Sequence, residues 1–76
     1  MDGDKLIKMA NDIAHFFRAE PERKDAIAGV AGHLKKFWDP RMRRQMFEML
    51  DAGGEGMRDL VREALESHRA DLTPAH

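Results

Sequence analysis

The 76-residue sequence contains no cysteine. Disulfides, thiolate zinc sites and iron–sulfur ligation by this chain are therefore excluded. No stretch approaches the roughly 18 apolar residues that a membrane-crossing helix needs. The first residues lack the apolar centre of a signal peptide, because Asp2, Asp4, Lys5 and Lys8 interrupt them. A cytoplasmic protein without membrane attachment is the expectation. The alternation that marks a strand is missing too, as are GxSxG, P-loop and GxGxxG patterns. Gly53-Gly54-Glu55-Gly56 is glycine-rich, but it follows no strand and precedes no Lys-Ser/Thr pair. It reads as a helix stop, not a phosphate cradle.

Size sets a second bound. In a chain this short, folding buries about 60% of the surface that the unfolded form exposes. Apolar burial and chain entropy then nearly cancel. With the usual staples excluded, a partner surface is the expected source of extra stability. Charge adds no general attraction to nucleic acid or membrane, because the formal net charge is −1. It is unevenly placed, however. Between His33 and Arg44 stand Lys35, Lys36, Arg41, Arg43 and Arg44 against Asp39 alone, a local charge of +4.

The apolar spacing predicts four helices. The first runs over residues 5–19, with Asp4 as its cap and Leu6, Met9, Ala10, Ile13, Phe16 and Phe17 as its inward stripe. Pro21 opens the second, residues 22–36, with Ala26, Ile27, Val30, Ala31 and Leu34 inward and Phe37 continuing the stripe. Gly29 and Gly32, three apart, weaken that helix, and two small residues so spaced suit a tightly packed helix pair or, as the lesser reading, a partner groove. Asp39-Pro40 reads as the N-cap and first residue of a third helix. That helix carries Met42, Met46, Phe47, Met49 and Leu50 and stops at Gly53-Gly54. A fourth begins near Gly56 or Met57. Polar composition and Pro74 predict a disordered tail over 70–76. The expected fold is all-α, a compact bundle of four short helices, with residues 4–69 as a single helical domain. The rival is an extended hairpin pair that completes its fold on a partner.

Residues that could carry chemistry are scattered. His15, His33, His68 and His76 include no pair at a chelating spacing on one helix. His33 sits on the apolar side of its helix, where a half-buried, satisfied imidazole is expected. The carboxylates fall mostly on solvent faces, and so small a bundle has no room for an enclosed substrate cavity. No catalytic, cofactor-binding or metal-binding residue is assigned. The methionines of the third helix suit either a core or an adaptable interface.

The most distinctive run is His33 to Arg44. Trp and Arg are favoured at binding hot spots, and Arg41, Arg43 and Arg44 stand at a helix N-terminus, where the dipole disfavours cations. A protein-docking surface built on His33, Phe37, Trp38, Pro40, Arg41, Met42 and Arg43 is the favoured reading, with Trp38 as an outward anchor. The alternative is a small nucleic-acid-binding module using Lys35–Arg44.

Val30-Ala31-Gly32-His33-Leu34-Lys35-Lys36-Phe37-Trp38-Asp39-Pro40-Arg41-Met42-Arg43 resembles the signature V-A-x-H-(I/L)-x-x-F-W-x-P-R-M-R of the NAD-dependent formate dehydrogenase delta subunit family. Upstream, Met9-Ala10-Asn11-Asp12-Ile13-Ala14-His15-Phe16-Phe17 is similar to that family's M-A-N-x-I-x-x-F-F start. Downstream, Gly53-Gly54-Glu55-Gly56-Met57 with Leu60, Val61 and Ala64 resembles its G-G-x-G-(L/M)-x-x-L-V-x-x-A ending. The likeness spans about residues 5 to 68. It departs in the Met and Phe residues of the third helix, where Leu is more usual, and in the tail.

The resemblance implies a non-catalytic accessory or assembly subunit with no cofactor of its own. Its partner would be the large catalytic subunit of a formate dehydrogenase whose complex carries a molybdenum bis-pterin centre, iron–sulfur clusters, FMN and NAD. Nucleic acid and membrane would not be partners. His33 and Asn11 would supply satisfied polar contacts near the Pro40 corner. An exposed docking face would also let the isolated chain form homo-oligomers.

Overall fold

The structure, a computed structural model, describes residues 2–74. The first helix, α1 (Gly3–Phe17), is capped by Asp2, whose carboxylate accepts from the Asp4 backbone N–H at 3.1 Å. Asp4, expected as the cap, instead lies in the first turn, where a carboxylate complements the helix dipole. Residues 18–22 form a turn that contains Pro21, and α2 (Arg23–Phe37) begins after it. The proline thus breaks the chain between the helices and does not open the second.

Trp38 leaves α2 in an extended conformation, and Asp39 then caps α3 (Pro40–Asp51) by accepting from the Met42 N–H at 3.0 Å. Pro40 occupies the first turn, where its missing N–H costs nothing. Gly53 and Gly54 end α3 with φ of +125° and +62°. A side chain is disfavoured in that region, which is the physical reason for glycine there. Helix α4 (Asp59–Ser67) starts two to three residues later than its apolar spacing predicts.

A fifth element, α5 (Arg69–Leu72), follows at once. Residues 70–72, expected in a disordered tail, form helix, and Leu72 is only 1% exposed. Its last carbonyls are held by the basic segment: Lys35 Nζ donates to Asp71 O at 2.7 Å, and Arg43 Nη1 donates to Leu72 O at 3.2 Å. Cations belong at a helix C-terminus, so two of the five basic side chains have an internal task. Ala75 and His76 lie outside the described residues.

Leu6, Ala10 and Ala14 of α1, Val30 and Leu34 of α2, Met46 of α3, and Val61 and Leu65 of α4 meet with Leu72 in one core. Each large side chain so buried contributes about 1.5–3 kcal/mol. Every helix contributes to this core, and the extents are 33 × 24 × 20 Å. The chain is therefore an all-α bundle of four short helices plus one turn, not an extended hairpin pair.

A long-range clamp closes the loop between α3 and α4. Asn11 Nδ2 donates to Gly56 O at 2.9 Å, and Asn11 Oδ1 accepts from the Arg58 N–H at 3.0 Å. Arg62 Nη2 donates to Gly53 O and Gly54 O, both at 2.8 Å. Asn11 therefore serves the glycine loop, not the Pro40 corner.

Candidate functional site

The run from His33 to Arg43 is divided by the backbone. Phe37 is α2's last residue and 66% exposed, whereas Trp38, its neighbour, is 5% exposed and part of the core. The expectation of Trp38 as an outward anchor is overturned. The chain turns at Asp39-Pro40, the residue after α2 is extended, and the indole is carried inward. Met42 packs partly buried against the core, and Met46 is fully buried. Pro40 and Arg41 are exposed, and Arg43 is half-buried with its Nε enclosed and without a hydrogen-bond partner among the described residues.

His33 is also half-buried, but it is not satisfied as expected. Its Nδ1 is enclosed and has no hydrogen-bond partner among the described residues. Leaving such a group unpaired costs about 1–3 kcal/mol. The ring instead packs against Phe37, with centroids 4.8 Å apart and planes tilted by 44°. Lys36 places its ammonium 5.9 Å from the Phe37 centroid, a cation–π contact.

His33 lines a groove between α1 and α2 whose α1 wall sequence reasoning missed. It is open to solvent, encloses about 350 Å³, and is lined by Asp12, Ile13, Phe16 and Phe17 of α1 and His33 of α2. Gly29 makes it. A Cβ there would lie 2.4 Å from the Phe17 ring, so only glycine lets that ring rest on α2. Phe16, 5.0 Å from Phe17 and nearly perpendicular to it, is then left standing outward at 73% exposure. Gly32 plays no such part: a Cβ there would meet nothing within 4 Å.

The available signal was the width of α1's apolar arc. Leu6, Ala10 and Ala14 alone form its buried line, while Met9, Ile13 and Phe16, spaced by four and three, form a second line at its edge. One neighbouring helix cannot cover both. Met9, Phe16 and Phe37 together leave roughly 350 Å² of apolar side chain in water, taking about 200 Å² for each whole side chain.

The shifted ionisable groups lie elsewhere. Glu63 accepts from Arg23 Nε at 2.8 Å and raises the guanidinium pKa. Arg69 Nη2 donates to Asp51 at 2.7 Å and holds that carboxyl below its ordinary range. Among the described residues no group of three His, Cys, Asp or Glu side chains is placed to hold a metal ion. No described helix is long and apolar enough to cross a membrane.

Fold and surface together define a small helical bundle whose distinguishing feature is an apolar groove with aromatic edges. The family model for the NADH-dependent formate dehydrogenase delta subunit, FdsD, matches residues 5–65. The chain belongs to that family, as its central signature and both flanks indicated. Comparisons with curated proteins and with solved structures give no match.

Proposed function

We propose that this chain is a non-catalytic accessory subunit of a formate dehydrogenase, docking on the large catalytic subunit and supporting its assembly or stability. The observation that carries this reading is the pair of phenylalanines, Phe16 and Phe37, held in water at 73% and 66% exposure by a bundle that buries Trp38 and Phe47. Their exposure costs the free chain stability, and a partner surface would recover it.

Membership of the delta subunit family supplies the identity of the complex. In this reading the molybdenum bis-pterin centre, iron–sulfur clusters, FMN and NAD site belong to other subunits, and the complex works in the cytoplasm. Of the residues expected to meet the partner, Phe37, Pro40 and Arg41 remain outward, and His33 and Arg43 are partly reachable. Met42 and Trp38 act from below by fixing the corner. The nucleic-acid alternative is weakened because Lys35 and Arg43 are engaged by α5.

The test is co-expression of the remaining formate dehydrogenase subunits with and without this chain. The chain should co-purify with the large subunit, and its omission should lower the yield or heat stability of active complex. A complex of undiminished yield and stability without the chain, and no retention of the chain by the large subunit, would sink the reading.

A further inference from the structure

We infer that the α1–α2 groove receives about two turns of an amphipathic helix from the partner subunit, with an acidic side chain of that helix set beside Lys36. This rests on the accessory-subunit reading and names what would fill the groove. The lining decides for a helix. Of the five lining residues only Asp12 and His33 are polar, and Asp12 is engaged by Lys8 at 3.4 Å. An extended segment laid on such a surface would leave unpaired those backbone N–H and C=O groups that face the lining. A helix satisfies its backbone internally and presents only side chains. A polyproline segment is disfavoured too, since grooves for it use aromatic rings with a polar donor. Tyrosine is absent and the single tryptophan is buried.

The dimensions agree. Gly29 lies under Phe17, and Phe37 packs on His33, so both touch residues that line the groove. Eight residues of α2 separate them, about 12 Å along the axis and a little over two helical turns. A groove of about 350 Å³ accommodates one or two large apolar side chains of such a helix. A second copy of this chain is the competing occupant, and area argues against it. Met9, Phe16 and Phe37 together expose roughly 350 Å², less than the apolar share of the roughly 800 Å² that each partner contributes to a standard stable interface. Charge narrows the choice further. Lys36 lies over the Phe37 ring with no carboxylate within ion-pair distance among the described residues, and exposed Arg41 has none either. The complement is an acidic group on the incoming helix.

The experiment compares hydrogen exchange of the full chain, free and in complex with the co-expressed formate dehydrogenase subunits, and measures the affinity of three variants. Phe16→Ser, Phe37→Ser and Lys36→Glu all change exposed side chains, so circular dichroism should show them folded. New protection is expected over 9–17 and 29–37, with each Phe variant weakening the complex at least tenfold and Lys36→Glu weakening it severalfold. A complex that forms with protection elsewhere, and that ignores both Phe variants, overturns the groove while leaving the accessory-subunit reading intact. A concentration-dependent dimer of the free chain that Phe16→Ser converts to monomer identifies a second copy as occupant and overturns the inference. Failure of the wild-type chain to bind any of the subunits overturns both readings together.

Discussion

Two sides of α2 end their apolar surface differently. Toward α4 and α5, Val30 and Leu34 meet a core in which Val61, Leu65 and Leu72 are each no more than 1% exposed. Toward the outer edge of α1, the Phe17 ring covers Gly29, while the Phe16 ring stands mostly in water. One side is closed by a turn that follows the matched family span, fixed by Lys35 and Arg43. The other is left open. A chain with so little core would be expected to close both sides, so an open side points to a second molecule.

Phe37 and Trp38 put that contrast into two adjacent residues, and they provide the largest expected effect. Trp38→Ala removes a buried indole and should cost about 3–5 kcal/mol, most or all of the stability of a chain this size. Phe37→Ala removes an exposed ring and should change stability by no more than about 0.5 kcal/mol. Urea titrations followed by helical circular dichroism would give both values. Similar midpoints for the two variants would erase the distinction between closed and open sides.

Leu72→Ala comes next, at about 2–4 kcal/mol, because Leu72 is fully enclosed between α2 and α4. A frayed tail would give no change. Faster hydrogen exchange in α2 and α4 should accompany the loss, since α5 packs on both.

The elements that could be read from sequence are those set by near neighbours. Asp39-Pro40 starts α3 and Gly53-Gly54 stops it because a side-chain acceptor, a locked φ and a freed φ act within a turn of the chain. The docking of α5 was invisible for the opposite reason. It depends on Lys35 and Arg43, which lie 36 and 29 residues from the carbonyls they hold, and on a single leucine in a polar stretch. The Asn11 clamp spans 45 and 47 residues, and the spacing of apolar positions says nothing about it. Trp38 was misplaced because hydrophobic period fails where a helix ends. Phe37 continues the inward spacing of Val30 and Leu34 yet lies at an end of α2 that the bundle leaves uncovered, while the extended residue after it turns inward.

Gly29 and Gly32 sharpen the comparison at a smaller scale, because they sit on the same helix and should respond with opposite signs. Gly32→Ala meets open space and should gain about 1 kcal/mol of helix propensity. Gly29→Ala gains the same propensity but drives a methyl group into the Phe17 ring, so a net loss of about 1–2 kcal/mol is expected. Displacing Phe17 also deforms the groove, so Gly29→Ala should weaken partner binding where Gly32→Ala does not. Stabilisation by both alanines would mean that Phe17 moves freely and that the groove is not a fixed shape.

The smallest effect belongs to the rim of the closed side, where Arg69 of α5 bonds Asp51 of α3. That hydrogen bond lowers the Asp51 pKa in the folded chain. Unfolded, the same carboxyl titrates near its ordinary value of about 4. The contribution of the pair is therefore fully present above about pH 4 and is lost as pH falls through the lower folded value. Both side chains are about half exposed, so salt should weaken the pair further. Thermal midpoints of the wild type should exceed those of Asp51→Asn slightly at pH 7 and low salt, and the two should converge in strong acid. Arg69→Ala should be the costlier change at every pH, because the guanidinium also lies 4.9 Å from the Phe47 ring, a contact that does not depend on the charge of the carboxylate. If Asp51→Asn instead released α5 outright, the closure of that side would rest on charge, and burial of Leu72 would not be what holds the turn in place.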